Sequence, residues 1–168
     1  MTAGLGMLLA AAAVQVTAAP QASAADPGCW RDTCIGKSAA AMNCDDDAEV
    51  LDQFDIDTSI EVKLIWSQMC QATWAKVAID PGYTDDPVYG QLWTTPTLGG
   101  IEKVYTTPQL GAGNPSEVTL MGNWKGTSKA CWTSKDPSTE GDWDPVPLIL
   151  EPGTGIMGAY TGACTDWI

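Results

Sequence analysis

The chain contains no histidine. That absence excludes Ser-His-Asp and Cys-His nucleophile systems in their usual forms, since both need an imidazole base. It also excludes any zinc site with a histidine ligand. There is no CxxC redox motif, and the cysteines run Cys29-x4-Cys34, Cys34-x9-Cys44 and Cys44-x25-Cys70, with Cys131 and Cys164 far away. A four-cysteine zinc site is normally built from two close pairs, which this spacing lacks. No metal and no cofactor are therefore expected. Basic residues are scarce: 8 Lys and Arg face 21 Asp and Glu, a net charge of −13. Nucleic acid and anionic membrane surfaces are bound through clusters of Lys and Arg, so both are excluded as expected partners. The one catalytic route left open is a pair of carboxylates flanking a cleft. With 21 acids to choose from no pair can be singled out, and the chain is expected not to be an enzyme.

The first 24 residues, MTAGLGMLLAAAAVQVTAAPQASA, carry no charge at all. Their apolar run, from about Leu5 to Val16, ends in small and polar residues with the triplet Ala22-Ser23-Ala24. This is the pattern of a secretory signal peptide, and it is too short to cross a bilayer, which takes about 20 apolar residues. It lacks the usual basic start, which points to a translation start upstream or a weak n-region. Cleavage near Ala24 would leave 168 − 24 = 144 residues, so residues 25–168 are expected to form a single secreted, extracellular domain. All six cysteines lie in that part. An even number in an exported chain predicts three disulfides.

Residues 25–44 read as loop, opening with the turn Asp26-Pro27-Gly28, with one helical turn fitting Ser38–Met42. The segment NCDDDAEVLDQFDID then places acids at 45, 46, 47, 49, 52, 55 and 57. Calcium is the sharper reading of such clustered carboxylates, but an EF-hand loop needs acids at alternate positions, a central Gly and a Glu at position 12. A solvated acidic turn, or a helix N-terminus stabilised by Asp, fits better. IEVKLIW (60–66) puts Ile60, Val62, Leu64 and Trp66 on one face and Glu61 and Lys63 on the other, the mark of a half-buried strand. CQATWAKVAI (70–79) alternates in part and would complete a hairpin, although its Gln, Ala and Lys leave a helix open.

Beyond Pro81-Gly82 the chain breaks into short apolar pieces between Gly and Pro. WTTPTLGG (93–100) and YTTPQLGA (105–112) match at an offset of 12 residues. They read as two equivalent strand-turn elements ended by Pro96 and Pro108. Further strands are predicted at 117–121, 129–133, 146–150, 156–160 and 163–167. The sum is a mainly β chain: a single small disulfide-stabilised β-sandwich or barrel-like domain with little helix. Six cysteines permit 15 pairings. Cys131–Cys164, Cys44–Cys70 and Cys29–Cys34 are the ones expected, the first pinning the C-terminal end.

The residues Cys29-x4-Cys34-x-Gly36-Lys37, Cys44-x2-Asp47-Ala48 and VKLIWSQMCQATWAKV (62–77) together resemble a bacterial family. It is called domain of unknown function 2690 and occurs in exported proteins, especially of actinomycetes. The family pattern runs C-x4-C-x-G-K-D-P, G-C-x-x-D-A-x-T, V-E-L-R-Y-S and C-x-x-W-A-R. This chain keeps the cysteines, Gly36, Asp47, Ala48, Ser67, Cys70, Trp74 and Ala75. It departs with Ser38-Ala39 for Asp-Pro, Ile65-Trp66 for Arg-Tyr and Lys76 for Arg. The resemblance implies secretion and a disulfide-bonded β fold, and no activity.

Two functions are expected to compete. One is a non-enzymatic protein-interaction module, an adaptor subunit in an assembly of other secreted proteins. Tyr and Trp dominate interface hot spots, strand edges accept added strands, and the tail 25–29 is expected to be free to reach a partner. The other is a carbohydrate or cell-wall-binding module, because eight Trp and four Tyr stand against one Phe. Trp124 and Trp143 sit in turn-like polar contexts, and with Asp142 and Tyr105 they are the candidate binding residues. Trp66, Trp74 and Trp132, in strands, are assigned to the core.

Overall fold

The computed structural model describes residues 26–56, 58–83, 87–95, 103–122, 125–134, 136 and 162–168. Within them the chain forms two short 3₁₀ turns, Arg31–Cys34 and Ala40–Met42, and eight strands. The strands are β1 (Ala48–Ile56), β2 (Ile60–Ser67), β3 (Ala72–Ile79), β4 (Tyr89–Thr95), β5 (Lys103–Thr106), β6 (Ser116–Val118), β7 (Thr127–Thr133) and β8 (Gly162–Cys164). They make two four-stranded antiparallel sheets, ordered β1-β2-β3-β6 and β5-β4-β7-β8. The chain is mainly β and disulfide-stabilised, with the sheets packed as a sandwich.

Alternation sets the inner face of the first sheet. Ile60, Val62 and Leu64 of β2 lie opposite Ile79, Val77 and Ala75 of β3. Directly paired residues share a face, so these six side chains form one apolar plate. It packs on Leu92 of β4, Ala130 and Trp132 of β7 and Ala163 of β8, with Val88 and Leu110 filling the margins. Val62, Leu64, Val77 and Leu92 are fully buried, each contributing about 1.5–3 kcal/mol by leaving water. Gly90 on β4 is one place where the sheets approach tightly. A Cβ there would lie 2.8 Å from Val77 Cγ2 and 2.9 Å from Thr107 Cγ2.

A second apolar cluster lies on the other face of the same sheet. Ile65 and Trp74, directly paired across β2 and β3, are buried with Ala72, Met121, Ala39 and Cys29, Cys34, Cys44 and Cys70. The segment 28–44 lies over them as a cap. This is why β2 and β3 are buried on both faces at that end, where Leu64, Ile65 and Ser67 are all inaccessible.

Several details differ from the sequence reading. Residues 45–47 are a turn, as expected, but they lead into the nine-residue strand β1 and not into a helix. Its nearest partner β2 supplies the cross-strand bonds that override the local preference of Asp. The second arm of the hairpin is strand throughout. The C-terminal strand stops at Cys164, short of Trp167. Residues 26–28 are held in place, because Gly28 N donates to Met42 O at 2.8 Å and Asn43 Nδ2 to Asp26 O at 3.3 Å. The expected strands at 146–150 and 156–160 lie outside the described residues. The two matching octapeptides place their strands side by side, with Leu92 opposite Tyr105 and Trp93 opposite Val104. The equivalent aromatics therefore point to opposite faces: Tyr105 packs against the main core, while Trp93 shares the outer face with Lys129. A register offset of one residue is enough for that inversion.

Candidate functional site

Three disulfides join Cys29–Cys34, Cys44–Cys70 and Cys131–Cys164. This is the pairing expected from the sequence. The third links directly paired residues of β7 and β8. Chain 165–168 continues along β7, with Ser128 N donating to Ile168 O at 2.8 Å and Ile168 N returning to Ser128 O at 3.0 Å. The other two bridges close the cap, and their four Sγ atoms all lie within 4.8 Å of one another, buried. Cys29 Sγ and Cys44 Sγ, which belong to different bridges, are 3.8 Å apart.

The cap is tied down by polar contacts that do not depend on sulfur. Arg31 N donates to Cys70 O at 2.7 Å, and Gly36 N to Met121 O at 2.9 Å. Gly36 has φ +74°, a backbone that a side chain would strain. Asp47 accepts from Ser67 Oγ at 2.5 Å and from Met69 N at 2.7 Å, and Ser67 Oγ accepts from Cys70 N at 3.0 Å. Of the three consecutive aspartates 45–47, Asp47 is thus the one that shapes the β2–β3 turn, while Asp45 and Asp46 are exposed. Among the described residues no group of acids converges as ligands for a metal ion; the cap cysteines are the one such cluster.

On the outside of the cap the Arg31 guanidinium lies 3.8 Å from the Trp30 ring centroid, and Trp30 is 51 % exposed. Arg31 and Gln71 both have positive φ, 52° and 49°, and Arg31 Nε donates to Gln71 Oε1 at 2.6 Å. Two left-handed non-glycine residues in contact hold this corner in one shape. The sequence reading missed it. Its signal was the Trp-Arg pair enclosed by Cys29 and Cys34.

The second feature is the edge of the first sheet. β1 is its outermost strand and pairs, among the described residues, only with β2. Phe54 and Ile56 reach the main core, but Ala48 to Leu51 stand exposed, with Val50 and Leu51 at 49 % and 39 %. The register slips between Val50 and Asp52, a bulge that bends the strand. From 45 to 56 the segment has six acids and no base.

Of the candidate binding residues read from the sequence, Tyr105 is the one among the described residues. Trp124, Asp142 and Trp143 lie outside the described residues. Tyr105 is partly buried against the core, and that burial pushes its phenol above the ordinary value of 10.0. Of the tryptophans assigned to the core, Trp74 and Trp132 are buried and Trp66 is half-buried. Trp93 and Trp167 flank Lys129, whose Nζ lies 5.1 Å and 4.4 Å from their ring centroids.

Compared with known protein families, the chain matches the family model described as "Protein of unknown function (DUF2690)" over residues 32–135, from the first 3₁₀ turn to just past β7. No curated protein and no solved structure matches. The residues that carry the resemblance have structural work in this fold: Gly36, Asp47, Ser67 and Cys70 build the cap and its turn, Trp74 its apolar floor, and Ala75 the main core.

Proposed function

Because the chain belongs to the DUF2690 family, which is described only as of unknown function, its role has to be read from its own surface, and we propose that it is a secreted, non-catalytic protein-interaction module. It would take an extended, basic segment of another secreted protein as an added strand along β1, serving as an adaptor in an extracellular assembly. One observation carries this reading. Among the described residues the other three edge strands, β5, β6 and β8, are three or four residues long, with 165–168 prolonging the β8 edge along β7, and short edges are a common protection against unwanted pairing. β1 is nine residues long and exposes Val50 and Leu51. Its acids favour a Lys- or Arg-bearing strand and repel a second copy of the same edge. The family signature adds little to this surface: of its residues only Ala48 lies on β1, while the others serve the cap, its turn and the main core.

The test is capture of proteins from the producer's own culture supernatant by the tagged chain, repeated with Glu49→Lys/Asp55→Lys and with Asp26→Lys. Exposed charge pairs contribute about 0.2–1 kcal/mol each, so reversing two should weaken a genuine β1 partner by about tenfold, while Asp26→Lys leaves it bound. Capture that ignores the β1 reversal refutes the edge as the site. A second reading, glycan binding, is favoured by one observation, the exposed Trp30 ring fixed by Arg31. Retention on insoluble cell wall that soluble sugar releases, and that Trp30→Ala abolishes, would select it.

A further inference from the structure

We propose that the four cap cysteines have a second chemistry: in the reduced chain they form a tetrathiolate site for one Zn²⁺. Cys29, Cys34, Cys44 and Cys70 come from four separate places: the entry to the cap, the end of the first 3₁₀ turn, the turn before β1 and the β2–β3 turn. Two independent bridges need only two sulfurs to meet at a time. Here all four meet within 4.8 Å. The third bridge, in the other sheet, stands apart from the group.

The dimensions suit zinc. Four thiolates at about 2.3 Å from a tetrahedral Zn²⁺ are about 3.8 Å from one another. Cys29 Sγ and Cys44 Sγ are already 3.8 Å apart. The widest separation in the group exceeds the tetrahedral edge by about 1 Å, and cleavage of each S–S bond lets the paired sulfurs part. All four cysteines are buried, as in a closed structural site with no position for water. A ligand set of sulfur alone favours zinc over calcium or magnesium.

Backbone hydrogen bonds that do not involve sulfur also join the segments that carry the ligands. Gly28 N to Met42 O, Arg31 N to Cys70 O, Cys44 N to Ala39 O and Gly36 N to Met121 O hold the four segments together. Ile65, Trp74 and Met121 lie beneath them. The electrons balance simply. Two equivalents of a phosphine, with two of water, give four electrons to the two bridges; the water oxygens end in phosphine oxide and the water protons on the four thiols. The four thiols formed lose four protons on binding one Zn²⁺. In reverse, two equivalents of a small disulfide oxidant take four electrons, restore both bridges and release the ion. The cap is then closed by metal when reduced and by bridges when oxidised. Spacing along the chain argued against such a site because it counts residues, whereas these ligands converge through the β2–β3 hairpin.

The experiment uses the full chain carrying Cys131→Ser/Cys164→Ser, reduced with a phosphine under exclusion of oxygen and titrated with Co²⁺. The expected result is saturation at one equivalent with the visible bands of a tetrahedral tetrathiolate, bleached by Zn²⁺. Oxidised glutathione should then release that Zn²⁺ to a chromogenic chelator. Near-UV circular dichroism of the tryptophans, read in the same samples, reports whether the chain is folded. Adding Cys29→Ser should weaken Zn²⁺ binding by more than about 100-fold, beyond the loss typical of a mere supporting residue. Absence of the bands, a stoichiometry above one, undiminished binding by the Cys29→Ser chain, or a reduced chain that metal does not return to its native circular dichroism would each overturn the proposal.

Discussion

Replacing Asp47 by alanine separates the structural aspartate from its two solvated neighbours. The carboxylate holds Ser67 Oγ at 2.5 Å and Met69 N at 2.7 Å, and Ser67, wholly buried, passes the restraint to Cys70 N at 3.0 Å. A hydrogen bond to a charged group contributes about 1.5–3 kcal/mol, so two amount to about 3–6. Asp47 is half-buried, and water will replace part of what is lost. The expected cost of Asp47→Ala is therefore about 2–4 kcal/mol, and of Asp47→Asn, which keeps one acceptor, about half that. Asp45→Ala and Asp46→Ala, both at exposed positions, should stay within about 0.5 kcal/mol of the parent. The assay is urea unfolding of the oxidised protein, with the slope unchanged so that midpoints report stability alone. If Asp47→Ala falls within the range of its neighbours, the account of the β2–β3 turn is wrong. A calcium site over 45–57 would give a different result, with comparable losses at all three positions that disappear once a chelator is present.

The remaining predictions concern bridges, packing and pH. With sequence separations of 26 and 5, loop closure gives about 3.6 kcal/mol for Cys44–Cys70 and about 2.2 for Cys29–Cys34. Paired alanine replacements, compared by urea unfolding, should follow that order, and the reverse order would show that the cap is not restrained through chain entropy. Gly90→Ala sets a methyl against Val77 and Thr107 and should cost about 1–3 kcal/mol. Gly113→Ala, with nothing within 4 Å, should be neutral or stabilise by up to about 1 kcal/mol; equal effects would refute the tight approach of the sheets. The Tyr105 phenol is raised above 10.0 by burial, so folding favours its neutral form. That contribution is fully present below pH 10.0 and is lost as pH rises through the folded-state value. Tyr105→Phe should therefore flatten the alkaline fall in the urea midpoint, and an unchanged fall would exclude Tyr105 as its source.

Composition and short-range pattern decided a good deal. The lack of histidine, the acidic excess and the even cysteine count are properties of the chain whatever its shape. The alternation in IEVKLIW made β2 legible, because a strand with one buried face repeats every two residues. The disulfide pairing was legible for a related reason. Cys131 and Cys164 stood in strand-like surroundings, and Cys44 and Cys70 bracketed the one clear hairpin arm. What pattern cannot carry is information about a second layer. Ile65 looked like the wrong side of a half-buried strand, and it is buried because the cap folds back onto it from over twenty residues earlier. The twin octapeptides looked equivalent, and cross-strand register turned Trp93 and Tyr105 to opposite faces. The acidic run looked like a turn, and pairing with β2 made most of it an edge strand. The four cap sulfurs, up to 41 positions apart (70 − 29) in the chain, meet only because the hairpin and the cap are packed on the same face. Local sequence determines which face of one element prefers to be buried. Only long-range packing decides what covers that face, and so which side chains are left to meet a partner or an ion.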